Sequence, residues 1–197
     1  KLYPASTTKI MTCLLAVENC SMNEIVSFSN DAVFSVPTDG SNIGMDVGQE
    51  LTMEQALYGI LVGSANEVAN AVAEHVAGST GDFADMMNER AAALGCVNTH
   101  FANANGLFDE NHYTCAYDMA LIAKAFFSYE LLSKMSNTYY YYIAPSDMQP
   151  DEVPVYSHNQ LLEGREHAYE YLVGSKTGYT DLARQTLVSC AEKDGMR

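Results

Sequence analysis

Between Thr52 and Gly78 the apolar residues recur at helical spacing, and both helices in this stretch carry explicit start and stop residues. Thr52-Met53-Glu54-Gln55 reads as a capping box. In that motif a threonine hydroxyl takes the backbone N–H three residues on, and the glutamine side chain reaches back. Leu51 stands just before it, and Met53, Ala56, Leu57, Ile60 and Leu61 keep the spacing of one buried face. Gly63 interrupts the pattern. Ser64-Ala65-Asn66-Glu67 opens a second helix, with Val68, Ala69, Val72, Ala73 and Val76 inward and Gly78 as its stop. A one-faced helical block of this kind must pack on a second layer.

That second layer is legible in the last third. Residues 138–143 are tyrosine-rich and β-prone, residues 153–156 and 171–173 are shorter candidates, and residues 185–191 read as a strand. Asp194-Gly195 is a hairpin turn signal. A strand packed on both faces would explain the tyrosines; stacking on sugars is the other reading. Further helices are predicted over residues 82–94, from near Thr114 through Phe126, and at the front, where Pro4-Ala5 leads into Ile10, Met11, Leu14 and Leu15. Residues 98–112, rich in Asn, Gly and His, read as an ordered loop. The order predicts a mixed α/β (α+β) fold: an antiparallel sheet with helices packed on it, plus a mainly helical lobe over roughly residues 25–135. No strand precedes the first helix and none returns after Gly195, so the sheet is expected to be truncated at both chain ends.

Length and charge narrow the class. The 197 residues suit one domain, 1–197, with a sizeable core, and 48% apolar residues argue against disorder. A net charge of -15 argues against nucleic acid as a partner, because phosphates would be repelled. No apolar run reaches the roughly 18–20 residues of a membrane-spanning helix. Lys1-Leu2-Tyr3-Pro4 runs at once into a helix with no secretory signal, as expected of a mature or shortened chain. The five cysteines include no Cys-x-x-Cys pair, and His75, His100, His112, His158 and His167 show no ligand spacing. No metal and no cofactor are therefore expected.

Three motifs carry chemistry. In Ser6-Thr7-Thr8-Lys9 the serine and lysine share one helix face, so the amine reaches the hydroxyl. A serine hydroxyl needs a base to become a nucleophile, and lysine serves only if burial or positive potential lowers its pKa. In Ser64-Ala65-Asn66 the hydroxyl could relay a proton and the amide could hold a carbonyl or Lys9. Ser64 with Glu67 is equally a capping box. In Lys176-Thr177-Gly178, after a candidate strand, the lysine and threonine suit an anionic substrate terminus. The glycine admits a second backbone, as a peptide joining the sheet edge requires.

The three motifs in this order resemble the signature of penicillin-binding proteins and class A β-lactamases. Residues 3–12 are similar almost letter for letter to the nucleophile segment of serine-type D-alanyl-D-alanine carboxypeptidases, the low-molecular-mass penicillin-binding proteins of peptidase family S11. Residues 63–75 resemble that family's second motif and its helix; Asn98-Thr99-His100-Phe101, His158-Asn159-Gln160-Leu161-Leu162 and Lys176-Thr177-Gly178-Tyr179-Thr180 match further segments. The resemblance implies a β-lactamase/transpeptidase-like fold with the site between sheet and lobe. It implies Ser6 as nucleophile, Lys9 as base, Ser64 as proton donor to the leaving group and Asn66 as positioning residue. Lys176, Thr177 and Gly178 would bind substrate, and the N–H groups of Ser6 and Tyr179 would form the oxyanion hole. The partners implied are a peptidoglycan stem peptide ending in D-Ala-D-Ala and, as covalent inhibitors, β-lactam antibiotics. The place implied is extracytoplasmic, in the cell envelope, with any membrane association through segments outside this chain.

Arg184 departs from the pattern, standing where a small glycine is usual, and is expected to disturb the strand beside Lys176. A class A β-lactamase would need a Glu-x-x-Leu-Asn segment between Ser64 and Lys176, and there is none. A D,D-transpeptidase would use the same residues. A non-catalytic peptidoglycan-binding remnant is the reading from another class.

Overall fold

In the computed structural model, which describes residues 1–197, a 3-10 turn at Ala5–Thr8 leads into α1 (Lys9–Asn19). The other helices are α2 (Asn30–Phe34), α3 (Met53–Leu61), α4 (Asn66–Ala77), α5 (Thr80–Ala93), α6 (Ala116–Phe127) and α7 (Glu130–Ser136). Six strands form three separate antiparallel pairs. These are β1 (Ile25–Ser27) with β2 (Glu50–Thr52), β3 (Tyr140–Ile143) with β4 (Val153–Tyr156), and β5 (Leu172–Thr180) with β6 (Arg184–Ala191).

The capping box forms as its residues require. Thr52 Oγ1 accepts from the Gln55 N–H at 3.2 Å, and Gln55 Oε1 accepts from the Thr52 N–H at 2.9 Å. Leu57 and Ile60 are then fully buried, each contributing about 1.5–3 kcal/mol by leaving water. α1 lies at the centre of the helical layer against α3, α4 and α6, while α6 and α7 pack on β6 and β5. The mixed fold of helices packed on antiparallel strands is the one that the sequence order predicts, with the strands in three pairs rather than one sheet and the helices α6 and α7 on the β5–β6 pair. No helix is long and apolar enough to cross a membrane.

Several sequence expectations are corrected. The front helix does not begin at Pro4-Ala5: Ala5 is left-handed (φ 51°), and the 3-10 turn intervenes before Lys9. The second capping box does not form. The N-cap of α4 is Ala65, Ser64 is left-handed (φ 58°), and the Glu67 carboxylate accepts instead from the Ile43 N–H at 2.7 Å. The tyrosine strand is packed on one face only: Ile143 and Val155 point inward, while Tyr140, Tyr142 and Tyr156 are exposed. The strand predicted at 171–173 runs on to Thr180, so Lys176-Thr177-Gly178 lies within β5 rather than after it. Arg184 does not disturb that strand. It adopts φ 58°, a conformation that favours glycine, and still pairs in register with Thr180. At 194–195 the turn forms, with Lys193 and Met196 exchanging both backbone hydrogen bonds at 2.9–3.0 Å.

Residues 98–112 are ordered, as their composition predicts, because α1 holds them. Thr12 Oγ1 donates to the Ala104 carbonyl at 2.6 Å. His112 bridges the loop and the helix: Nδ1 accepts from the Ala102 N–H at 3.0 Å, so Nε2 carries the proton and meets Thr8 Oγ1 at 2.7 Å. Burial pushes the imidazole pKa down to about 4, keeping it neutral. A buried histidine of this kind is protonated in the unfolded chain before it is protonated in the folded one. Its stabilising effect is therefore complete above its ordinary value near 6.5 and is lost as pH falls toward about 4. The difference is on the order of 3 kcal/mol. Urea unfolding of the parent and of His112→Gln across pH 4–7 should show a steeper acid loss in the parent, by about one proton; parallel curves would refute the neutral bridge.

Candidate active site

The site is built where α1 begins. Ser6 is half-buried in the 3-10 turn, and Lys9, the first residue of α1, is fully buried. The Lys9 Nζ lies 3.0 Å from Ser6 Oγ, 2.7 Å from Asn66 Oδ1 and 2.5 Å from the Asn105 carbonyl. Burial, and next the nearby Lys176 ammonium, hold its pKa well below the ordinary lysine value. A neutral amine has two N–H donors and one lone pair. With Asn66 and Asn105 taking both donors, the lone pair is left to accept the Ser6 hydroxyl proton. Cys13, one turn along α1, is held as a neutral thiol by burial and adds no negative charge to oppose this.

The second cation stands opposite. Lys176, also buried, donates from Nζ to Ser64 Oγ at 3.0 Å and to the Thr177 carbonyl at 2.8 Å. Burial lowers its pKa to about 8. The left-handed backbone at Ser64 turns its hydroxyl toward Lys176 rather than onto α4, which is why the cap fails. Two lysines and two serines thus face one another across the gap between helix starts and strand.

β5 comes against Ser6 at Gly178. A Cβ there would sit 2.8 Å from the Ser6 nitrogen and 2.5 Å from Thr186 Oγ1, so only glycine permits this approach. Thr186 Oγ1 in turn donates to the Pro4 carbonyl at 2.9 Å, tying β6 to the segment that carries Ser6. The Ser6 N–H makes no backbone hydrogen bond. β5 pairs with β6 alone, which leaves its other edge without a strand partner. Tyr179 is exposed, and Thr177 is partly so.

All eight predicted site residues converge here, and the structure adds residues that the sequence reading missed. Asn105 supplies the Lys9 acceptor, and its side chain is locked: Nδ2 donates to Asn70 Oδ1 at 2.9 Å, and Oδ1 accepts from the Leu107 N–H at 2.8 Å. Asn70 continues the chain by donating to Ser35 Oγ at 3.0 Å. Gly106, with φ 86°, lies so close to Ala5 that a Cβ would come within 2.0 Å of its carbonyl oxygen. The signals were present: Asn103-Ala104-Asn105-Gly106 is dense in turn residues, and Asn66 and Asn70 are one turn apart on a helix among Val68, Ala69, Ala71 and Val72. Glu67 is also buried, with Oε2 unpartnered and its pKa raised by burial.

A family model described as D-alanyl-D-alanine carboxypeptidase matches residues 1–197. The chain is 37% identical to the D-alanyl-D-alanine carboxypeptidase DacF of Bacillus subtilis, over 100% of this chain and 50% of that protein. It is 30% identical to DacB2 of Mycobacterium tuberculosis, over 98% of this chain and 64% of that one. It therefore spans about half to under two thirds of these relatives' lengths. Among solved structures, the D-alanyl-D-alanine carboxypeptidase from Mycobacterium tuberculosis H37Rv superposes with a TM-score of 0.86 at 28% identity, covering 98% of this chain and 70% of that one. The Streptomyces K15 DD-transpeptidase gives 0.87 at 25% identity, covering 98% and 77%. Sequence, fold and site geometry agree: the chain belongs to the D-alanyl-D-alanine carboxypeptidase family.

Proposed function

We propose that this chain is the catalytic domain of a serine D-Ala-D-Ala carboxypeptidase that trims peptidoglycan stem peptides through an acyl-enzyme on Ser6. The observation that carries this reading is the buried Lys9 amine, 3.0 Å from Ser6 Oγ with both other valences occupied. The Ser6 proton passes to Lys9 Nζ as Oγ attacks the carbonyl between the two terminal D-alanines. The tetrahedral oxygen is held by the N–H groups of Ser6 and Tyr179, each worth about 3–4 kcal/mol to the transition state. Collapse breaks the C–N bond, and the departing D-alanine amine takes a proton from Ser64, which is resupplied from the Lys9 ammonium, so Lys9 is neutral again and Lys176 keeps its charge beside Ser64. Water, giving its proton to the neutral Lys9 amine, then cleaves the ester and returns Ser6 as a hydroxyl.

Substrate would lie along the free edge of β5 as an added strand, with its terminal carboxylate toward Lys176 and Thr177. A β-lactam would follow the same course and stop at the ester. Residues 1–197 act in this reading as one domain, with the helical lobe at roughly residues 25–135 forming the second wall. The work would be done outside the cytoplasm, in the cell envelope, where the substrate is found. Likeness to the Streptomyces DD-transpeptidase supports a second reading, in which an amine replaces water as acceptor of the same acyl group.

Two measurements test the chemistry. Fluorescent penicillin should label the folded chain covalently, Ser6→Ala should remove all label, and Lys9→Ala should slow acylation by about 10²–10⁴. Label that persists in Ser6→Ala, or none on folded parent protein, would reject the assignment. Release of D-alanine against transfer to an added amine then separates hydrolysis from transpeptidation.

The acylation rate should also form a bell against pH, with limbs that belong to the coupled lysine pair. It rises as Lys9 gives up its proton, well below the ordinary lysine range, and falls as Lys176 loses its charge near about 8. An acid limb at the ordinary lysine value would show that Lys9 is not the base.

A further inference from the structure

Both helices that meet at the active site also meet at their far ends. α1 starts with Lys9, and Cys20 forms its C-cap, about 16 Å away along the helix. α4 starts with Asn66 and carries His75 in its last turn. Between the two far ends stands Glu24, in the turn before β1. The sequence shows no ligand spacing here because Glu24 and His75 are 51 residues apart. The fold removes that separation: the Cys20 Sγ, a Glu24 carboxylate oxygen and a His75 ring nitrogen lie within 4.8 Å of one another.

We propose that Cys20, Glu24 and His75 form a binding site for a thiophilic divalent cation of the zinc type, distinct from the serine site. Thiolate, imidazole and carboxylate are the three ligand types such a cation takes, and three protein ligands leave the fourth tetrahedral position to water. The donor set balances the charge: thiolate and carboxylate together offset a dication. On binding, the thiol proton leaves to solvent, and the proton that His75 Nε2 presents to Glu24 leaves as well, so that the neutral ring holds its single proton on Nδ1 and Nε2 turns its lone pair to the metal. Tetrahedral edges for bonds of about 2.0–2.3 Å are about 3.3–3.8 Å long, so side-chain rotations of about an ångström close the site.

The supporting contacts are in place. Glu24 Oε2 already faces His75 Nε2 at 2.9 Å, and its other oxygen, Oε1, accepts from the Ser21 N–H at 2.6 Å. Such an outer partner fixes a ligating carboxylate. The backbone is pinned at both residues: the Cys20 N–H donates to the Ala16 carbonyl at 2.9 Å, and the Glu24 carbonyl accepts from the Met53 N–H at 2.8 Å. The side chains are reachable from solvent, His75 being 25% and Glu24 41% exposed. A cation here would clamp α1 to α4 at the ends opposite Lys9 and Asn66, and so stiffen the helix pair that carries the serine site.

The test is a titration of metal-free, reduced protein with Zn2+ by calorimetry and with Co2+ by absorption. One equivalent should bind, Co2+ should give a thiolate charge-transfer band, and Zn2+ should raise the unfolding temperature. Cys20→Ser should abolish the band. Both Cys20→Ser and His75→Gln should weaken binding by at least the roughly 10–100-fold that loss of a mere outer-shell partner costs. Cys115→Ser, a control for thiols elsewhere, should leave binding unchanged, and penicillin labelling of each variant should confirm a folded chain. No stoichiometric binding, or binding that survives both ligand substitutions, would overturn the site and reduce the cluster to a Glu24–His75 hydrogen bond.

Discussion

Everything at this site depends on a lysine side chain kept wholly out of water. An unpaired ammonium in the interior costs several kcal/mol, so Lys9 is tolerable there only with its hydrogens occupied and its charge in question. The fold meets both conditions with groups from three separate segments: Ser6 one turn before it, Asn66 at the start of α4, and the Asn105 backbone. The second cation, Lys176, presses in the same direction as burial, because two positive charges in one low-dielectric gap oppose each other. The arrangement that lowers the Lys9 pKa is therefore the one that frees its lone pair to take a proton. In a chain with 10 basic and 25 acidic residues, two of the few basic side chains are buried in one gap.

Holding Lys9 in that position puts strain on the backbone around it. Ala5 and Ser64 both occupy left-handed conformations that cost a residue with a side chain about 1–3 kcal/mol each. Each stands at a serine of the site. The turn at Ala5 presents Ser6 at the mouth of the gap, and the conformation of Ser64 trades a helix cap for a contact with Lys176. Packing around them supplies the compensation. Gly106 fits against the Ala5 carbonyl, Gly178 against the Ser6 nitrogen, and the Thr12, His112 and Thr186 hydrogen bonds keep loop, helix and strand from drawing apart.

Much of this was readable from the residues. The periodicity and capping at Thr52, the glycine stop at Gly78 and the β-prone last third gave the helical layer, the strands and their order. The Ser6–Lys9 spacing placed hydroxyl and amine within reach of each other. The readings that failed did so for a common reason, which is that a local motif competes with a distant partner. Ser64 satisfies the capping rule in sequence, but Lys176, 112 residues on, takes its hydroxyl. The turn-rich stretch around Asn105 marks a loop, but not that its backbone carbonyl accepts from Lys9, because any residue has one.

What the sequence by itself determined is the set of parts: which segments are helix or strand, which serine, lysine and threonine side chains are candidates for chemistry, and the family they belong to. Periodicity, turn chemistry and short spacings are local, and local rules suffice for them. What only the tertiary structure decided is where charge is stable and which distant groups share a bond. The fall in the Lys9 and Lys176 pKa values, the neutrality of His112 and the meeting of Cys20, Glu24 and His75 all arise from burial and proximity across the fold. Dielectric and distance are properties of the packed molecule, and no stretch of sequence carries them alone.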